Sequence, residues 1–142
     1  MLSNSSKYAL KAVIYLTLHT DDTRKMTVKE ISSHIQVPQA YVAKLLQDLS
    51  KRDLISSTRG PKGGFYVNET NKSLPISSIV YAVEGRKQFS SCLLGLEDCD
   101  EEKPCPVHHR IVSSRSRFLE VLEKTSIAQL AEDLKAKKAF LQ

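Results

Sequence analysis

Between Thr27 and Val67 the chain is punctuated in a way that admits few folds. Thr27-Val-Lys-Glu30 has the residue types of a capping box, in which the threonine hydroxyl accepts an orphan backbone N–H and the glutamate reaches back. The spacing predicts a helix from there to about Ile35, with Val28, Ile31 and Ile35 inward, then a tight turn at Gln36-Val37. Pro38 suits the first position of the next helix, where its missing N–H costs nothing. Val42, Leu45, Leu46 and Leu49 follow at i, i+3, i+4 and i+7, leaving Gln39, Ala43, Lys44, Gln47 and Lys51 outward. Next come Leu54-Ile-Ser-Ser-Thr-Arg59, Gly60-Pro-Lys-Gly-Gly64 and Phe65-Tyr-Val67, which read as strand, glycine-rich tip and strand, with Arg59 and Lys62 at the tip. Two short helices joined by a tight turn, the second polar and basic outside, form a helix-turn-helix; a basic hairpin directly after it makes the winged-helix arrangement. Either part alone is commonly structural, but their order and shared basic face point to double-stranded DNA.

The charge distribution agrees. Residues 1–70 hold ten Lys/Arg against six Asp/Glu and residues 71–142 eleven against ten, so +4 of the net +5 lies in the first half. A basic face of that size suits a polyanion through phosphate neutralisation and counterion release. With 142 residues, 41% hydrophobic and 26% charged, the chain is one domain, or a small domain with an appended helical element. It can bury a core without disulfides or metals. The absence of Trp and the 6% aromatic content argue against an aromatic carbohydrate cleft. Residues 9–18 are apolar enough to imitate a signal peptide, but Lys11 interrupts them and Thr20-Asp-Asp-Thr23 offers no small-residue cleavage site. The run is also too short to span a membrane. The expectation is a buried helix in a cytoplasmic protein with no membrane partner, and three cysteines without an export signal fit a reducing compartment.

Residues 5–19 read as a first helix with most of its circumference buried, and residues 74–85 as another, with Ile76, Ile79, Val80 and Val83 on one face and Gly85 as its stop. Residues 86–106 lose all periodicity. Helix resumes near Pro106 and runs to Lys124, with Val107, Ile111, Phe118 and Leu122 on one face; Ser126 then caps a last short helix carrying Ile127, Leu130 and Leu134. The long helix calls for a partner, and a second copy is the simplest, with packing on its own domain the alternative. The fold class expected is mainly α with a small β-hairpin: a winged helix-turn-helix domain at 1–85, a cysteine loop at 86–106, and a dimerisation helix with a C-terminal helix at 107–142.

That loop holds every cysteine of the chain, and with the helix start it gives Cys92, Cys99, Cys105 and His108 as C-x6-C-x5-C-x2-H. Cys105 and His108 stand at i and i+3, so both can point one way. Thiolate and imidazole are soft or borderline ligands suited to an iron–sulfur cluster or to zinc. Structural zinc more often uses paired short C-x2–4-C spacings, and there are none here. Free cysteines normally hide in cores, and none of these lies on the apolar face of a helix. An iron–sulfur cluster is the leading expectation, with zinc or a thiol switch as alternatives and incidental cysteines as the bland one.

The string Ser6-Lys-Tyr-Ala-Leu10, the phrase Ser57-Thr-Arg-Gly-Pro-Lys-Gly-Gly64 and the cysteine loop together resemble the Rrf2 family of bacterial transcription regulators, over residues 1–135. That family includes iron–sulfur assembly, nitric-oxide-sensing and cysteine-metabolism regulators. The resemblance implies a homodimeric winged-helix repressor with a crossed pair of long helices. It matches Arg59 to a wing arginine that enters the minor groove, and Gln39, Tyr41 and Lys44 to positions near the start of the recognition helix. It matches Cys92, Cys99 and Cys105 to cluster cysteines and His108 to the histidine that ligates a 2Fe–2S cluster, favouring that cluster over 4Fe–4S. The first cysteine spacing is one residue longer than in the assembly regulators. Where redox and nitric-oxide sensors draw an acidic ligand from the partner's first helix, this chain has Lys7, a cation; His109 and Asp98 are alternatives to His108. Ala43 replaces an acidic residue of the assembly regulator, so its operators do not transfer.

The reading is a cytoplasmic, nucleoid-associated, homodimeric regulator whose DNA affinity is set by a cluster reporting iron–sulfur, redox or nitrosative status. The acids Glu97, Asp98, Asp100, Glu101 and Glu102 would disfavour a reduced, more negative cluster, or simply solvate an exposed loop. An enzyme is not expected: a thiol redox enzyme would need a C-x-x-C pair, and neither that nor a nucleotide-binding glycine loop is present.

Overall fold

Ser3 starts the first helix, its hydroxyl accepting the Ser6 amide, and α1 runs over Asn4–His19. Its apolar positions recur on nearly every side, and in the computed structural model, which describes residues 1–97 and 99–141, Ala9, Ala12, Val13 and Leu16 are almost wholly buried. Three helices cover them: α2 (Val28–Ile35), α5 (Ile76–Glu84) and α8 (Ile127–Lys135) all pack on α1. The order is α1, α2, α3 (Gln39–Lys51), β1 (Ser56–Thr58), β2 (Gly64–Tyr66), α4 (Glu69–Lys72), α5, α6 (Lys87–Ser90), α7 (His108–Lys124) and α8. A mainly helical chain with one small antiparallel hairpin is the fold class expected.

The helix-turn-helix forms as its punctuation dictates. Glu30 Oε2 accepts the Thr27 amide at 2.7 Å while Thr27 Oγ1 accepts the Glu30 amide at 3.3 Å, closing the capping box. Gln36 ends α2 in the left-handed conformation (φ 56°) that lets the chain turn within two residues. Pro38 is a correction: its extended ψ of 135° makes it the N-cap, and the helix begins one residue later at Gln39. A cap need only supply a carbonyl, and that of Pro38 accepts the Tyr41 and Val42 amides at 3.1 Å.

The hairpin is shorter than expected but gains a third strand-like contact. Ser56 pairs with Tyr66, Ser57 with Phe65 and Thr58 with Gly64. On the other edge of β2, Met26 exchanges two backbone hydrogen bonds with Phe65, at 2.9 and 2.8 Å. This approach requires glycine at 64: a Cβ there would lie 2.5 Å from the Met26 carbonyl oxygen, and φ is +152°. At the wing base, the buried Asn71 side chain accepts the Ser56 hydroxyl at 2.8 Å and donates to the Asp53 carbonyl at 3.2 Å. That joins α4, which the spacing did not predict, to the end of α3.

Two expectations for the second half change. Residues 86–106 are not wholly irregular, because α6 places Phe89 in the core between Tyr81 and Phe118, at ring distances of 5.6 and 6.2 Å. Leu122 of α7, expected at a seam with a second copy, is buried with Ile127 in the same cluster as α1 and α5, and Phe118 packs half-buried against it. The segment 107–142 therefore shares its core with 1–85. Backbone bonds from Ile76 to Thr125 (2.9 Å) and from Ile127 to Leu74 (3.0 Å) clamp the starts of α5 and α8 together.

Replacing Gly64 by Ala should lower stability by about 2–4 kcal/mol, from the disfavoured φ and the collision with the Met26 carbonyl. Urea unfolding with an unchanged m-value measures it; a midpoint equal to wild type would mean that the Met26 contact is not made.

Candidate nucleic-acid interface and cysteine site

The five residues expected to touch DNA stand on α3 and on the wing. Gln39 and Lys44 are exposed at the start and middle of α3, and Arg59 and Lys62 are exposed at the tip, where Gly63 donates to the Gly60 carbonyl at 2.9 Å. Among the described residues no carboxylate forms an ion pair with Lys44, Arg59 or Lys62, so their charge is free for phosphates. Tyr41 differs from the other four. Its hydroxyl is hydrogen-bonded to Ser5 Oγ and its ring meets Tyr8 edge-on at 5.9 Å, which ties the recognition helix to α1 while leaving the side chain 41% exposed. Lys25 lies over the Tyr66 ring at 5.3 Å at the root of the wing and adds a cation to the same face.

The sulfur-bearing loop begins where Phe89 leaves the core. Cys92 is buried, Cys99 and Cys105 are half-buried, and all three are free thiols. Cys92 Sγ lies 3.8 Å from Cys105 Sγ, and Cys99 Sγ lies 3.3 Å from His108 Nδ1. Two pairs result. Among the described residues no group of three or more His, Cys, Asp or Glu side chains is gathered tightly enough to hold one metal ion. Backbone N–H groups of Leu94 and Leu96 point at the Cys92 sulfur and hold its thiol below the ordinary value, with smaller help from Cys105 and Arg115.

His108 is the first residue of α7; its amide donates to the Cys105 carbonyl at 3.0 Å and its side chain is 4% exposed, whereas His109 is exposed. Lys7 is exposed on α1, and Glu97, Asp100, Glu101 and Glu102 are all exposed. Asp98, the other alternative ligand, lies outside the described residues. One residue was missed: Arg115 Nη1 donates to Cys99 Sγ at 3.7 Å. The signal was present, because Arg115 stands seven residues after His108 and so on the same helix face.

A family model described as Rrf2, iron-dependent transcriptional regulator, matches residues 2–133. An Aquifex aeolicus (strain VF5) protein assigned to the HTH-type transcriptional regulators is 32% identical over 92% of this chain and 90% of its own length. The HTH-type transcriptional regulator IscR of Vibrio campbellii is 26% identical over 93% of this chain and 77% of its own. Among solved structures, CymR, the global cysteine regulator of B. subtilis, superposes with a TM-score of 0.75 over 93% of this chain and 96% of that one at 23% identity, a likeness of fold.

The thiol geometry makes a prediction of its own. Mild diamide oxidation of metal-free protein should join Cys92 to Cys105 and leave Cys99 free, because only the first two sulfurs stand side by side. Peptide mapping checks this, and a disulfide involving Cys99 as the main product would contradict the pairing.

Proposed function

The chain belongs to the Rrf2 family of transcriptional regulators, and on that premise we propose that it is a homodimeric, cytoplasmic repressor, not an enzyme, whose grip on DNA is set by a 2Fe–2S cluster held by Cys92, Cys99, Cys105 and His108. The two-by-two pairing of the four side chains carries this reading. Two sulfurs about 2.3 Å from one tetrahedral metal lie about 3.8 Å apart, and a sulfur and an imidazole nitrogen about 3.6 Å apart. The observed pairs, at 3.8 and 3.3 Å, are near those edges. Two such pairs suit two metals, whereas a single zinc would draw all four donors into one group. When bound, a cluster supplies one-electron redox chemistry at the sulfur loop.

The chain's own residues supply the rest. Gln39, Tyr41 and Lys44 face the major groove, while Arg59 and Lys62 carry the wing to the neighbouring minor groove and backbone. No helix among the described residues is long and apolar enough to cross a membrane, which is consistent with cytoplasmic DNA as the partner. A second copy docks along the outer side of α7, where Val121 is 55% exposed among otherwise polar positions.

Three measurements test this reading. Anaerobically reconstituted protein should be red-brown with about two irons and two sulfides per chain; His108→Ala should give a labile or shifted cluster, and His109→Ala a normal one. Colourless protein carrying one zinc per chain would reject the cluster, and a normal His108→Ala spectrum would reassign the fourth ligand. Arg59→Ala should weaken binding to an authentic operator by about 1–3 kcal/mol with the fold intact; unchanged fluorescence anisotropy would remove the wing from the interface. Val121→Asp should yield folded monomers by light scattering, since it charges the dimer face without touching the Leu122 core. A fully dimeric mutant would move the interface elsewhere.

A further inference from the structure

We propose that Arg115 is the charge-compensating residue of the sulfur site: its guanidinium, reaching back from two turns into α7, stabilises the electron-rich state of whatever the cysteines hold. The inference rests on the cluster reading above and adds a residue to it. Three observations converge. Arg115 Nη1 donates to Cys99 Sγ at 3.7 Å, and among the described residues this is the side chain's one hydrogen-bond partner. Arg115 is half-buried, yet among the described residues no carboxylate forms an ion pair with it. It also lines, with Cys92, Phe89 and Phe118, the groove that separates the loop from α7.

A half-buried cation without a carboxylate is best placed beside another negative group, and among the described residues the group it meets is the Cys99 sulfur, which carries negative charge when it ligates a metal. Arg does not shed its proton. Its guanidinium therefore places a positive charge beside the Cys99 sulfur. Were a 2Fe–2S centre held here, taking one electron from dithionite or a reduced mediator would make the site one unit more negative. A cation fixed a few ångströms away favours that product over the oxidised form and so raises the midpoint potential. The loop acids act in the opposite sense, but all four described ones are exposed and screened by solvent, while Arg115 works from partial burial against the ligand itself. The helix that carries His108 thus also carries a positive charge to Cys99, and helix geometry fixes the spacing of the two residues.

The test is a spectroscopic redox titration of reconstituted, cluster-loaded full-length protein, comparing wild type with Arg115→Gln and Arg115→Lys. Arg115→Gln should lower the equilibrium constant for one-electron reduction about tenfold, which is about 59 mV toward more negative potential. Arg115→Lys, which keeps the charge and loses the planar fork, should fall between the two. Equal potentials in wild type and Arg115→Gln, with equal iron content, would overturn the proposal and leave the cluster reading intact. Wild-type protein that assembles no iron–sulfur centre would overturn both. Should Arg115→Gln fold by circular dichroism but lose its iron, Arg115→Lys decides. A cluster kept in the lysine variant supports the charge role, and loss there as well overturns it in favour of packing by the guanidinium.

Discussion

The burial of α1 is the constraint on which the rest of the molecule depends. A helix apolar on nearly all sides must be covered on nearly all sides, and this chain does so with elements drawn from both its ends. Helix α2 comes from the helix-turn-helix, α5 from beyond the wing, and α8 from the C-terminal segment. Leu16, Ile79 and Ile127 are each fully buried in one cluster, although more than a hundred residues separate the first from the last. Fully burying side chains of this size is worth about 1.5–3 kcal/mol each. The helix-turn-helix and the C-terminal helix therefore share one core, and Phe89, just before the sulfur loop, belongs to it.

A contiguous set of contacts joins the two ends of that arrangement. Cys92 follows α6, and α6 is anchored by Phe89 between Tyr81 of α5 and Phe118 of α7. Tyr81 also donates to Glu123 Oε1 at 2.9 Å and lies under the Arg86 guanidinium. At the end of the same helix, Glu84 Oε1 accepts the Ser3 amide at 2.7 Å, fixing the first turn of α1. Ser5 and Tyr8 in that turn hold Tyr41 of α3. Cys92 thus follows an element whose packing continues, contact by contact, to α3. Contiguity of this kind is not itself coupling; a difference in DNA affinity between metal-loaded and metal-free protein is what would show coupling and give it a magnitude.

Local chemistry was legible where a residue type has one dominant use. The capping box at Thr27 and Glu30, the i, i+3, i+4, i+7 run through Val42 and Leu49, and the glycine-rich tip each specify their own geometry without help from the rest of the chain, and each formed. What was hidden depends on distant partners. Nothing local distinguishes Met26 as the residue that pairs with Phe65, or Asn71 as the hub of the wing base, because both roles are created by segments far along the chain. Phe89 sits in a stretch without helical periodicity, so its burial could be known only once Tyr81 and Phe118 were placed around it. Phe118 and Leu122 show the converse error. Their spacing marks an apolar face correctly, but a face does not say what covers it, and here the chain's own core takes part of what was assigned to a second copy.

The same distinction applies to the sulfur site. Four donors at C-x6-C-x5-C-x2-H give chemistry and reach, but not pairing, since a loop of that length allows any thiol to meet any other. The pairing follows from where the backbone is pinned. Cys105 and His108 are held three residues apart by the hydrogen bond from the His108 amide to the Cys105 carbonyl, and Cys92 by the burial of Phe89 before it. Cys99, between them, is placed by its contact with His108 Nδ1 at 3.3 Å. It is also the one that meets the Arg115 guanidinium, a contact between the loop and α7. An arginine at that point does for the loop what a cap does for a helix end: it adds a donor to a sulfur that already meets His108 Nδ1, and the two contacts together limit where the third sulfur can go.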